Sequence, residues 1–156
     1  MTRIITRVID CWIFRRTSGG LRFLIMKRAP ERIYAGIHHC VHGKILPGER
    51  AWETALREMY EETGLKPVRF WVADVTSSFY EATEDRMNLV PVFAAEVETE
   101  RVEIGNEHES YEWLSLEDAM EKVAWGNHQM ALRAIARMMQ EGFEARKWLE
   151  IKLNES

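Results

Sequence analysis

The stretch Gly43–Leu65, GKILPGERAWETALREMYEETGL, constrains the chain more than any other. Pro47-Gly48 suits the central pair of a type II turn, whose second residue must tolerate positive φ. Gly64 suits the left-handed position that ends a helix. Between these turns, Ala51 to Thr63 advance as a helix at about 100° per residue. Trp52, Ala55, Leu56 and Met59 then share one arc, which should face the core. Glu58, Glu61 and Glu62 fall on the adjacent arc at i, i+3, i+4 spacing. The carboxylates are therefore expected at a rim, beside the buried face, where the helix meets a sheet.

The flanking sequence supplies that sheet. Residues 3–14 are rich in Ile, Val, Trp and Phe and read as a strand, with a second at Leu21–Lys27. The turn cluster Thr17-Ser18-Gly19-Gly20 between them predicts a hairpin. A short strand at Ile37–His42 carries three histidines, of which His38 and His42 should share a face that His39 does not. Further strands are expected at Val68–Tyr80 and Met87–Val97, where Pro91 implies an edge position or a bulge. GNEHESYEWL passes from loop to strand. Ser115 suits an N-cap, and a last helix is expected over Asn127–Gln140, capped by Asn127 and with Met130, Ile135 and Met138 among its apolar positions. Strands around a central helix, with helices late in the chain, predict an α/β (α+β) fold, a mixed sheet covered on its faces by helices.

A length of 156 residues suits one domain, and no repeat or linker marks a second. The N-terminal apolar run is interrupted by Arg3, Arg7 and Asp10, which argues against a leader or a membrane span. Cys11 and Cys40 lack metal or redox spacing, which fits two buried thiols and a cytoplasmic location. A net charge of −4 makes an extended nucleic-acid surface unexpected, and implies that any polyanion is met through a basic pocket or a bound cation.

Like charges at i, i+3, i+4 cost about 0.2–0.5 kcal/mol per pair, and more where water is partly excluded. A solvated acidic helix face would carry this cost without a function. A divalent cation would reverse it: Mg²⁺ takes oxygen ligands, keeps some water, and sits well among carboxylates and substrate phosphate. Arg57 can reach Glu53, Glu49 or Glu61 and hold a carboxylate in one orientation.

The stretch resembles the signature of the Nudix hydrolases, G-x5-E-x7-R-E-U-x-E-E-x-G-U, where U is a bulky aliphatic residue. Gly43, Glu49, Arg57, Glu58, Met59, Glu61, Glu62, Gly64 and Leu65 fill every specified position. The resemblance implies an α/β/α sandwich over the whole chain and hydrolysis of a nucleoside diphosphate linked to another group, with Mg²⁺ or Mn²⁺ and water attacking phosphorus. It implies Glu58, Glu61 and Glu62 as metal ligands, Glu58 or Glu61 as general base, and Arg57 as a further catalytic residue. NEHESYEWL and AWGNHQMAL also resemble segments of dihydroneopterin triphosphate and nucleoside triphosphate pyrophosphohydrolases. That likeness implies Glu107 as a further ligand, with Arg28 and Asn127 near the substrate.

Two departures bear on substrate identity. His42 stands where the family commonly has glycine, and His38 where this branch has tryptophan. His39, His42, Gly43 and Lys44 are thus expected to line the substrate pocket, whereas a zinc site built from the three histidines is not expected. The leading expectation is a pyrophosphohydrolase of a nucleoside or pterin triphosphate. A dinucleoside polyphosphate or nucleotide-sugar hydrolase is the alternative within the enzymes, and a nucleotide-sensing module the alternative outside them. The resemblance also admits a homodimer.

Overall fold

The computed structural model describes residues 1–153. In chain order the elements are β1 (Arg3–Ile5), β2 (Val8–Thr17), β3 (Gly20–Arg28), β4 (His38–His39), β5 (Val41–Lys44) and α1 (Ala51–Thr63). There follow β6 (Arg69–Glu81), β7 (Arg86–Glu96), β8 (His108–Leu114), α2 (Leu116–Lys122), α3 (Gly126–Met138) and α4 (Arg146–Leu149). The strands form one mixed sheet of eight. Residues 3–14, expected as one strand, are broken at Thr6-Arg7. Both pieces run parallel to β7, but five steps separate Ile5 from Asp10 where four separate their partners Asn88 and Val92. The break absorbs that extra residue.

The Ser18-Gly19 turn joins β2 to β3, but the two strands pair only from Phe14 to Thr17 and from Gly20 to Phe23. Beyond that they separate, and the chain from His38 to Lys44 fills the fork. β4 pairs with β3 through Met26 and Lys27, and β5 pairs with β2 over Val8–Cys11. The outer edge of β3 pairs with β8, and β6 lies along β7. Pro91 sits in β7, inside the sheet, and the register opposite it slips between Val72 and Thr76. Of the two expectations for Pro91, the irregularity is the one observed.

β2 is buried on both faces, so its apolar run is nearly continuous. Ile9, Cys11 and Ile13 enter the core beneath α1, together with Val41, Ala55 and Met59. Trp12 and Phe14 enter the other core with Cys40, Ala119 of α2, and Leu132 and Ile135 of α3. The sheet is thus sandwiched between α1 and the α2–α3 pair. The same alternation puts His39, Val41 and Gly43 on the α1 side and His38, Cys40 and His42 on the α3 side. Cys11 and Cys40 are free, buried thiols on opposite faces.

Three helix expectations need correction. In α1 the fully buried residues are Thr54, Ala55, Met59, Glu62 and Thr63; Trp52 and Leu56 pack against the core as expected but are only half-buried. Packing has turned the helix so that Glu62 lies on the buried face and not beside it. α3 begins at Gly126 with Trp125 at its N-cap, so Asn127 is not the cap; its side-chain amide donates to the Ser78 carbonyl instead. Met130 is exposed, because the buried stripe runs through His128, Ala131, Leu132, Ile135 and Met138. The other end signals hold. Gly48 and Gly64 take positive φ (79° and 73°), and the Ser115 hydroxyl accepts from the Asp118 amide at 3.2 Å. No helix among the described residues is long and apolar enough to cross a membrane.

Candidate active site

Glu58, Glu61, Glu62 and Glu107 line one recess, with Arg32, Gly105, Asn106 and His108 completing its wall. The last turns of α1 supply the first three. Glu107 comes from the segment before β8, which is tied down at two points. The Glu103 amide donates to the Thr63 carbonyl at the end of α1, and the Ala29 amide donates to the Glu107 carbonyl. A register shift where β8 passes Lys27/Arg28 brings His108 opposite Arg28. The loop after β3 then places Arg32 at the rim.

Arg57 organises the approach to the recess. Its Nε and Nη2 bind both oxygens of Glu49 (2.8 and 3.1 Å), and Nη1 donates to Glu58 Oε1 (2.8 Å) and Glu61 Oε2 (3.2 Å). Nη2 also donates to the Lys44 carbonyl at 3.0 Å, which ties the helix to the end of β5. This planar group serves three carboxylates at once and grips Glu49 through two N–H bonds, a bidentate geometry that a lysine cannot reproduce. Hydrogen bonds from Arg57 and Thr54 hold the Glu49 carboxyl at about 2, so it is a fixed anion.

Gly43 packs directly against Glu58. A Cβ at residue 43 would lie 2.3 Å from Glu58 Cγ and 2.6 Å from Oε1. Absence of a side chain there is what lets the Glu58 carboxylate occupy its place.

Glu62 is the most perturbed carboxyl of the group. It is 5% exposed, and neither of its oxygens has a hydrogen-bond partner among the described residues. Burial, followed by the charges of Glu107 and Glu58, pushes its pKa up to about 10. Burial also raises Glu58, against the opposing pull of Arg57. Behind Glu62 stands a histidine pair whose members lie 69 residues apart in the chain. His108 Nε2 lies 3.8 Å from Glu62 Oε1 and 2.8 Å from Nε2 of His39. Burial depresses His39 to about 2 and His108 to about 4, so both are neutral and share one N–H between facing nitrogens.

The residues expected to meet substrate are more scattered. None of Arg28, His39, His42, Gly43, Lys44 and Asn127 lines the recess. Arg28 Nε donates to the Ile33 carbonyl at 2.8 Å and so braces the loop that carries Arg32. His39 is buried and meets the recess only through His108. Lys44 is exposed. His42 and Asn127 lie on the α3 side of the sheet, His42 Nδ1 2.7 Å from Asp10 Oδ1. Arg32 and His108 are the wall residues that sequence reasoning passed over. His108 adjoins Glu107 in the chain, but Arg32 carries no motif.

Comparison with known proteins bears on the family and the fold. The sequence profile described as the NUDIX domain matches residues 5–134. The mouse bis(5'-nucleosyl)-tetraphosphatase [asymmetrical] is 33% identical over 118 residues, which span 69% of this chain and 77% of that protein. A Caenorhabditis elegans Ap4A hydrolase in a binary complex superposes with a TM-score of 0.69 at 19% identity, covering 86% of this chain and 97% of that one. The Escherichia coli dihydroneopterin triphosphate pyrophosphohydrolase gives 0.70 at 19% identity, covering 86% and 99%. Family match, signature and sandwich coincide, and the chain belongs to the Nudix hydrolases, enzymes acting on phosphoanhydride bonds.

Proposed function

We propose that the protein cleaves a phosphoanhydride bond of a nucleoside polyphosphate with Mg²⁺ or Mn²⁺ held by Glu58, Glu61, Glu62 and Glu107. The observation that supports this reading is the state of Glu62, a buried carboxyl without partners facing three other carboxylates. Such an arrangement is costly alone and favourable around a dication, and an all-oxygen donor set suits a hard one. Mg²⁺ or Mn²⁺ held there would supply positive charge against the anhydride oxygens and would make a bound water more acidic. The remaining work falls to the chain. Arg57 fixes Glu58, Glu58 or Glu61 accepts the proton of the attacking water, and Arg32 at the rim, with Arg28 behind it, faces phosphate charge. Lys44, His42 and Asn127 are proposed as outer substrate contacts, beside the Gly43 backbone, with His39 acting through His108.

For the substrate, similarity to the mouse tetraphosphatase favours a dinucleoside polyphosphate. The segments Asn106–Leu114 and Ala124–Leu132 favour a second reading, a nucleoside or pterin triphosphate. Products separate the two under Mg²⁺. The first reading predicts a nucleoside triphosphate plus a monophosphate from a dinucleoside tetraphosphate, and the second predicts pyrophosphate from a triphosphate. Calorimetric binding of a nucleotide with no turnover under any divalent cation would point to a sensing module instead.

Arg57→Lys should lower kcat by about 10- to 100-fold, the usual range when a group that orients a metal ligand is lost. Steady-state kinetics with unchanged circular dichroism checks this; wild-type kcat in the variant would remove Arg57 from the role given to it.

A further inference from the structure

Across the sheet from the glutamate recess, the α3-side core contains a second group of metal-ligating side chains. Asp10 of β2, Cys40 between β4 and β5, and His128 of α3 are all buried. One ligand atom from each lies within 4.8 Å of the other two. These residues come from three separate parts of the chain and meet where β2 and β3 part, beneath the first turn of α3. We propose that Asp10, Cys40 and His128 form a binding site for a borderline-soft divalent cation of the zinc class, separate from the glutamate recess and independent of the hydrolytic reading above.

Four observations carry this. The first is spacing. Zinc bond lengths of about 2.0–2.3 Å give tetrahedral edges of about 3.3–3.7 Å. Asp10 Oδ2 and His128 Nε2 already stand 3.5 Å apart. Cys40 Sγ has at most about an ångström to close, given the same bond lengths. The second is donor chemistry. A thiolate, an imidazole and a carboxylate select zinc-class ions, whereas the glutamate recess offers only oxygen.

The third is the support around the ligands. His42 Nδ1 binds the other Asp10 oxygen at 2.7 Å, which leaves Oδ2 directed at His128. The His128 ring is held edge-on between Trp12 and Trp125, with centroids 5.1 and 5.3 Å away; its Nδ1 has no partner among the described residues, so the two tryptophans orient the ring without a hydrogen bond at that nitrogen. An apolar shell that fixes a ligand ring, and a histidine that fixes a ligand carboxylate, are the outer-sphere features that orient metal ligands. The fourth is charge. Asp10 is a buried carboxylate whose polar neighbours are the imidazoles of His42 and His128. A dication with one carboxylate and one thiolate is electrically neutral, which removes the cost of burying that charge. On binding, the Cys40 Sγ–H bond breaks, the proton leaves to solvent, and the sulfur electron pair forms the metal bond. Three protein ligands leave the fourth tetrahedral position to water, reached past the half-exposed His42.

Cobalt reports this site selectively, since a thiolate-to-cobalt charge-transfer band in the near ultraviolet requires sulfur, which the glutamate recess lacks. Metal-free full-length protein titrated with Co²⁺ should develop the band, reach an amplitude that corresponds to one thiolate-bound ion per chain, and lose it when Zn²⁺ is added. Cys40→Ser should abolish the band and Cys11→Ser should keep it. Asp10→Asn, which retains the thiol, should lose the rise in Tm that Zn²⁺ gives the wild type. His42→Ala should weaken Zn²⁺ binding about 10- to 100-fold. Absence of the band in the wild type, its survival in Cys40→Ser, or its loss in Cys11→Ser would overturn the proposal. An unchanged Zn²⁺-induced Tm shift in Asp10→Asn would do the same, and it stays readable if Cys40→Ser fails to fold.

Discussion

Glu62→Gln should abolish Mg²⁺-dependent turnover and, in the same protein, raise the stability of the metal-free state. The two effects share one cause. The Glu62 carboxyl has a pKa near 10 in the fold and 4.5 as its reference value. Between these pH values the folded state binds a proton that the unfolded state has released, so stability falls as pH rises. The loss starts above about pH 4.5 and levels off above about pH 10. Near neutral pH it amounts to about 3 kcal/mol. Glutamine has the shape of the protonated acid and no proton to lose, so the variant should escape this penalty. For a chain of this length, about 3 kcal/mol corresponds to a Tm rise of roughly 6–12 °C at neutral pH. At acid pH below the unfolded-state pKa the difference should vanish. Adding Mg²⁺ should reverse the ranking, since a cation that binds only the folded state raises the wild-type Tm by mass action and should leave the variant unmoved. Thermal unfolding across pH, with and without Mg²⁺, reads all of this. A variant destabilised at neutral pH without metal would show that Glu62 is held as an anion by the fold alone.

Gly43→Ala should lower kcat by about 10²- to 10⁴-fold, the range associated with loss of a positioned acid–base group, while the protein stays folded. The added Cβ falls 2.3 Å from Glu58 Cγ and 2.4 Å from Cδ. No real Cβ tolerates such contacts, so the Glu58 side chain must leave its place or the β5 backbone must move. The side chain is the softer of the two. Its departure also costs the 2.8 Å hydrogen bond to Arg57. Glu58→Gln is the companion variant, since it removes the charge without moving the carbon skeleton. Similar losses in both, with unfolding curves close to wild type, would tie the requirement for glycine to Glu58. Wild-type turnover in Gly43→Ala would show that the Glu58 position is not needed.

The signature helix was legible in the sequence because its information is local. Spacing within α1 fixes which carboxylates are neighbours, and Gly48 and Gly64 fix where the helix can begin and end. The alternation that separates His39 from His38 and His42 was legible for the same reason. The rotation of α1 about its axis was not. Periodicity put Trp52 and Leu56 on the core-facing arc, where both pack, but only tertiary packing shows that Glu62 is buried more deeply than either. Contacts between distant segments were equally hidden. His39 and His108 are 69 residues apart, and nothing in either segment announces that their ring nitrogens meet. Asn127 shows local reasoning overruled, since its amide, well suited to a cap, serves the Ser78 carbonyl across the sheet edge. The break at Thr6-Arg7 is a register effect that exists only once β7 lies alongside.

Four glutamates from α1 and the segment before β8 are proposed to hold one catalytic cation environment. Mn²⁺ binding followed by electron paramagnetic resonance, in the wild type and in Glu58→Gln, Glu61→Gln, Glu62→Gln and Glu107→Gln, tests it most directly. Weaker binding in every variant, with the largest loss at buried Glu62, is the predicted result; wild-type affinity in Glu62→Gln and Glu107→Gln would contradict it.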